Sequence, residues 1–483
     1  MRIPRLRNFF LVFLLLLGRE QSRAYSLLTH EQLIDLTWQD SIVPLLLSRY
    51  PSLTPAQLEQ ARAYAYGGCV IQDLGYYPFG DRLFTDLTHY VRSGDFVVSL
   101  FRNAHNANEL AFAVGALSHY IGDSVGHPEA TNVAVPLEFP TLRRRYGTTV
   151  SYAEGEHQHV QTEFAFDIDQ IAHHHMAPLS FLRHVGLRVP VHQLELAFYE
   201  TYGIPDFAGY HGARFNIREY RFAVRTFIPR IAYAVTLLHR RHEPPEPVTP
   251  DTIEIEKEVA AASAENHWDR YRRKAGFETY SLACLLFILP KVGPLALVNV
   301  KGPTEQTETE YMHSLVLSLQ AMRSSLHRFT PPRPGSTANS GAADPGQAAD
   351  PPGQNAGKAA AAAPSAPLPH DNHREREQSE FDPRHPLPNR DLDTGHEVQP
   401  GGYRLTDETY AQLLHRLTRN PKQPIPPGIV RDIQAYYADP NAPITTRREP
   451  RRWAQVQADL KTLAGMPLNP EPAVVPTYDG TGQ

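Results

Sequence analysis

The stretch Ser118–Pro128, SHYIGDSVGHP, sets His119, Asp123 and His127 four residues apart, twice in succession, inside an otherwise apolar run. On an α-helix such positions drift by only about 40° per step, so all three lie along one face, within reach of one common site or of two adjacent ones. Imidazole nitrogens and carboxylate oxygens brought together in this way are donors for a divalent metal ion. Further on, His159 and Glu163 repeat the spacing by which two ligands of one helix grip a single ion. Upstream, CVIQDLGYYPFGDRLFTDLTHY places Asp73 and His89 on either side of a Gly/Pro-rich turn, and THEQLI carries His30. One triplet is weak evidence in a chain with 23 histidines, so the weight rests on the repetition. These donors are too many for one tetrahedral ion and include no thiolate, which suits zinc or a similar ion in a solvent-accessible catalytic site.

Other polar residues in the region have simpler readings. His157 and His173–His175 fit a polar helical face or end. Asp167 continues the four-residue ladder after Glu163; it either orients a ligand or belongs to a solvated face, and the face is the simpler reading. The chain has 2 cysteines, Cys69 and Cys284, which excludes a disulfide framework and a Cys-rich zinc site. They form one pair or stay as two free thiols.

The elements that position these donors read as helices. From Tyr25 to Phe329 apolar residues recur at helical spacing, with few alternating β-branched runs, so the spacing predicts an all-α, multi-helix domain over 25–329. Thr29 with Gln32 fits a capping box opening the first helix, and Thr54-Pro55 a second start. Asn108 is placed to cap the helix that carries the triplet, with Gly126 and Pro128 ending it. HQHVQTEFAFDIDQIAHHH predicts another helix. Tyr280–Val298, strongly apolar but broken by Pro290, Gly293 and Pro294, reads as a buried helix and turn in preference to a membrane-inserting hairpin. Between 330 and 402 the composition turns to Pro, Ala, Gly and charge, predicting a disordered linker. Residues 403–483 resume weak helical patterning, as a small helical appendage whose protein partner, if any, is not readable.

At the start of the chain, Arg2, Arg5 and Arg7 precede the apolar run FFLVFLLLLG and then Ser22-Arg23-Ala24. This is the order of a secretory signal over residues 1–24, with the mature protein starting at Tyr25 and secreted or periplasmic; an uncleaved anchor is the alternative. At 483 residues with a net charge of -5, the chain shows no global nucleic-acid footprint. TLRRRYG is the one short basic patch near the helical core, and a solvated loop explains it.

The ordered set THEQLI, Asp73, LTHY, LSHYIGDSVGHP and HVQTE resembles the zinc-dependent phospholipase C/D family, within the phospholipase C and S1/P1 nuclease superfamily, over about Tyr25 to Ala172 and on toward Tyr202. The resemblance implies an all-helical domain with three zinc ions in a cleft. It assigns Asp73, His89, His119 and Asp123 to one zinc, and His127, His159 and Glu163 to a second. His30 and Asp123 go to a third, with the amino nitrogen and carbonyl of Tyr25. It also implies hydrolysis of phospholipid or related phosphodiesters, transient contact with a membrane surface, and a proton-accepting, catalytic role for Asp73. Two departures matter: SVGHP replaces the Gln-Pro-x-His type sequence of the nucleases, and Leu74 stands where choline-preferring relatives carry an aromatic residue. A single-strand nuclease on the same scaffold and a non-catalytic, metal-stabilised binding protein are the competing readings.

Overall fold

The computed structural model describes residues 27–331 and 385–476, apart from 78, 208, 210–211, 240–245, 290–299, 301 and 443–448. The signal segment, Tyr25, the second half of the Tyr280–Val298 run and the greater part of the predicted linker lie outside the described residues. Among the described residues the named elements are all helical, as the spacing predicts, and the only pairings of β type are two isolated bridges, Arg390 with Glu397 and Ile425 with Leu468.

In chain order the α-helices are α1 (Leu27–Thr37), α2 (Val43–Arg49), α3 (Pro55–Gly68), α4 (Arg82–Tyr90), α5 (Ser93–Arg102), α6 (Ala107–Gly126), α7 (Asn132–Glu138), α8 (Pro140–Tyr146), α9 (Tyr152–Ala172) and α10 (Leu179–Val185). There follow α11 (Val191–Tyr202), α12 (Ala213–Phe222), α13 (Ile228–His239), α14 (Pro250–Glu265), α15 (Phe277–Ile288) and α16 (Glu305–Phe329). Beyond the 332–384 gap come α17 (Arg404–Thr418), α18 (Pro427–Ala438) and α19 (Pro450–Leu463).

Several predicted starts are found and others move. Thr54 and Gln57 form the capping box of α3 with Pro55 at its first position. In α6 the cap is Asn106, not Asn108; its side chain accepts from the backbone N–H groups of Asn108 and Glu109. Thr29 does not open α1, which is already helical at Leu27; its hydroxyl instead donates to Asp167. Pro128 does not stop the chain after α6 either, because His127–Thr131 continues as a π turn that tolerates the missing N–H.

The central contact is α6 against α3. It is close because glycines face each other: a Cβ on Gly115 would lie 2.1 Å from the Ala65 carbonyl oxygen, and one on Gly68 2.1 Å from that of Phe112. This approach brings the Cys69 carbonyl at the end of α3 up to the His119 ring of α6. On the other side α16 runs along α6, and its Phe329 stacks on Phe101 of α5 at 4.3 Å.

The stretch 385–402 departs from its predicted disorder, and residues 403–476 depart from the expected separate appendage. Leu387, Leu392, Leu413, Leu414, Ile429 and Ile433 are buried in the same apolar core as α4 to α6. Composition alone reads 385–402 as too polar to fold, but its polar groups are satisfied by helices already in place, which lowers the cost of ordering it. The joint is anchored at Arg92, whose guanidinium donates to Asp95 at 2.7 Å and to the Thr201 carbonyl at 2.8 Å. Asp95 also meets His385 at 2.6 Å, and its N–H donates to Asn389.

Burial alone would raise the Asp95 carboxyl, but Arg92 and His385 bring it down to about 2. A folded-state value below the unfolded one stabilises the fold above the unfolded pKa and is lost as pH falls through the folded one. The stability difference between wild type and Asp95→Asn is therefore expected to be about 2 kcal/mol near pH 6 and to close as pH drops from about 4 to about 2, read by urea denaturation.

Candidate metal centre

Each of the eight side chains singled out in the described part of the chain is at most 2 % exposed, and all eight meet in one place. His30 comes from α1, Asp73 from a 3₁₀ turn at Ile71–Tyr76, and His89 from the last turn of α4. His119 and Asp123 lie on α6, His127 starts the π turn after it, and His159 and Glu163 lie on α9. Three groups have ligand atoms within 4.8 Å of one another: Asp73, His89 and His119; His30, His119 and Asp123; and His127, His159 and Glu163. The three residues of SHYIGDSVGHP thus serve several adjacent groups instead of one.

Asp123 joins the groups. One oxygen, Oδ2, lies 3.1 Å from His119 Nε2 and 3.3 Å from His89 Nε2. The other, Oδ1, lies 3.3 Å from His30 Nε2 and 4.0 Å from His127 Nε2. Asp73 Oδ1 is 3.4 Å from His89 Nε2, and Glu163 Oε1 is 3.5 Å from His127 Nε2 and 2.7 Å from His159 Nδ1.

The backbone fixes which nitrogens face inward. The Nδ1 atoms of His89, His119 and His127 sit against the carbonyl oxygens of Thr85 at 2.9 Å, Cys69 at 3.1 Å and Leu392 at 3.0 Å. A carbonyl only accepts, so each Nδ1 carries the proton and each Nε2 offers a lone pair to the centre. The Nε2 atoms of His89 and His119 face each other at 3.3 Å, a contact that makes sense around a shared cation or proton. His159 is held the other way: with Asn132 Oδ1 accepting from Nε2 at 2.8 Å, its Nδ1 lone pair faces Glu163.

Burial sets the state of two of these rings, whereas at His89 the carboxylates of Asp123 and Asp73 outweigh burial and raise the imidazole well above its ordinary value, a positive charge that a bound cation would replace. Burial lowers His127 to about 4 and takes His159 well below the ordinary imidazole value, so both are neutral ligands at neutral pH. Burial, reinforced by Asp123, pushes Glu163 well up, whereas His119 and His127 outweigh burial at Asp123 and hold it well down. Both oxygens of Asp123, Asp73 Oδ1 and Glu163 Oε2 are buried without a hydrogen bond. Buried carboxylate oxygens left in this way are costly unless a cation meets them, so the donor set fits divalent metal ions.

Sequence reasoning missed the supports around the centre. Asp167 is fully buried, not on a solvated face: it accepts from the N–H groups of Leu28 and Thr29 and from the Thr29 hydroxyl, fixing α1 immediately before His30. Leu392 and Asp393 come from the stretch read as linker. Asp393 Oδ1 lies 3.6 Å from His127 Nδ1, while Oδ2 accepts from the hydroxyls of Tyr90 at 3.0 Å and Tyr403 at 2.6 Å. Gly395, at φ +69°, sits where a Cβ would be 2.2 Å from the Ser124 carbonyl, so this loop lies directly on SVGHP. No spacing rule connects RDLDTGHE with a motif more than 260 residues away; its closely spaced acids are the only local signal. The decoys His173 and His175 are absent from the centre, and Cys69 and Cys284 are free thiols, the first buried and the second exposed.

Replacing Asp393 by Ala removes the partner of two tyrosine hydroxyls and frees the loop that holds His127. Zinc affinity, titrated against a competing chelator, is expected to fall by about 10- to 100-fold with the helical content retained.

Comparison with known proteins supplies one match. The profile described as zinc dependent phospholipase C covers residues 29–212. No curated protein and no solved structure matches the chain. All eight side chains of the centre fall inside the matched segment, and over residues 29–212 the chain is similar to the zinc dependent phospholipase C family.

Proposed function

We propose that the protein is an exported, phospholipase C-like phosphodiesterase that holds three zinc ions and hydrolyses phospholipid or a related phosphodiester. The convergence of three donor groups on Asp123, with the imidazole tautomers set by backbone carbonyls, is the observation that carries this reading. In it Asp73, His89, His119 and Asp123 hold one ion, His127, His159 and Glu163 a second, and His30 and Asp123 a third, completed by Tyr25 once the signal is removed. Zinc bound there supplies a water acidic enough to be a nucleophile at neutral pH and positive charge against the phosphoryl oxygens.

The chain's own residues do the rest. Asp73 Oδ1, buried and without a hydrogen bond, accepts the proton of the attacking water. Tyr76 beside His89 and Tyr152 beside His159 flank the groups at ring distances of 6.2 and 5.8 Å, and the half-exposed Arg82, paired with Asp86, offers a cation to the incoming phosphate. Leu74 is buried in the apolar core, so the position after Asp73 offers no aromatic face to a choline headgroup.

The substrate's own surface is also addressed. The described part of the Tyr280–Val298 run is not a buried helix: it exposes Phe287 at 74 % and Ile288 at 78 %, and Phe277 at the start of α15 is 87 % exposed. Among the described residues no helix is long and apolar enough to cross a membrane. Arg183, Arg225 and Arg230 crowd one another beside this helix, and exposed Arg273 and Lys274 precede it. Apolar side chains next to a cluster of cations suit transient docking on an anionic lipid surface.

Hydrolysis of phospholipid, of a soluble glycerophosphodiester and of single-stranded DNA by zinc-loaded wild type and Asp73→Asn tests the assignment. Hydrolysis of the lipid is expected to fall by about 10²- to 10⁴-fold in the variant. Cleavage of DNA alone would replace this reading with the nuclease one, and bound zinc without any hydrolysis with the non-catalytic one.

A double variant Phe287→Ser/Ile288→Ser is expected to keep its rate on the soluble diester and to lose several-fold on anionic vesicles. An equal loss on both substrates would count against the docking role of α15.

A further inference from the structure

A second cluster of metal-ligating side chains lies at the far end of α9. Asp169 and His173, on the last turn and at the cap of that helix, meet Glu308 from the first turn of α16, with ligand atoms within 4.8 Å of one another. His173 Nδ1 is 3.4 Å from Asp169 Oδ2. Gln170 Nε2 also donates to Asp169 Oδ2 at 3.4 Å. Adjoining them, Glu246 lies 3.5 Å from His175 Nδ1, and His175 and Glu246 form a further group with Glu256.

The geometry points to a divalent cation site of zinc type held by Asp169, His173 and Glu308, separate from the catalytic cluster and stapling α9 to α16. Independent of the clustering, Glu308 is only 1 % exposed, its carboxyl group faces that of Asp169, and neither of its oxygens meets a hydrogen-bond donor. His173 Nδ1 and Glu246 Oε1 are likewise buried without a hydrogen bond. A carboxylate stripped of water and left without donors is expensive, and among the described residues no Lys or Arg forms an ion pair with Glu308. One imidazole and two carboxylates make an oxygen-rich set for a borderline ion.

The place of the site gives it a task. Asp169 is six residues beyond Glu163, about 9 Å along the same helix, and Asp167 between them holds the start of α1. An ion at the end of α9 fixes the axial position of His159, Glu163 and Asp167 together, without touching the substrate.

The test uses the full chain, stripped with chelator and reloaded with zinc alone. His173→Ala/Glu308→Gln is expected to carry one equivalent of zinc fewer than wild type by elemental analysis. An unchanged stoichiometry overturns the site. Should the double variant not fold, anomalous scattering at the zinc edge from wild-type crystals decides: a peak between Asp169, His173 and Glu308 is expected, and its absence where the catalytic cluster is filled overturns the site. Neither readout depends on the substrate, so the site and the phosphodiesterase reading stand or fall separately.

Discussion

Four imidazoles surround one fully buried carboxylate. Asp123 lies within 4.0 Å of His30, His89, His119 and His127, and every one of those nitrogens is contributed by a different element or a different turn. Such a carboxylate is tolerated in the interior only if positive charge is supplied to it. The placing of α1, α4, α6 and the turn after α6 can be understood as the answer to that demand. The tight glycine contact of α3 with α6 sets the depth of His119, and Asp167 sets the depth of His30. The backbone is as much a part of the centre as the side chains, because it decides which nitrogen of each ring is available.

How much of this the sequence disclosed depended on whether the signal was local. Four-residue spacing is a helical property, so His119 with Asp123 and His159 with Glu163 were visible as pairs, and the Thr54 cap was readable for the same reason. The grouping of the pairs was less visible. It follows from helix packing, and the assignment of His30, Asp73 and His89 to particular neighbours came from family resemblance. Residues whose role is to hold others left no local pattern: Asp167 reads as one more acid on a polar face, and it is the contact with the α1 backbone that gives it meaning.

The stretch around Asp393 shows why composition misleads in the opposite direction. Its polarity suggests an unfolded segment, and by itself it would gain little from ordering. On the assembled helices its groups find partners already fixed in place: Tyr90, Asn132, Ser93 and the His127 ring. The apolar α15 shows the converse, for an apolar run predicts burial only where a surface covers it: α15 packs against α13 and buries Ala283 and Leu286, while Phe277, Phe287 and Ile288 stay exposed.

Leu392 supplies the carbonyl that orients His127, and it lies some 180 residues past the end of the family match. The match therefore encloses all eight ligand side chains of the catalytic cluster without enclosing the centre. A chain cut back to residues 29–212 would keep all eight of these side chains and lose the tautomeric lock on one of them. For this protein the smallest working unit is set by backbone carbonyls and not by the motif, and it reaches across the interval from 332 to 384 to the far side of the chain.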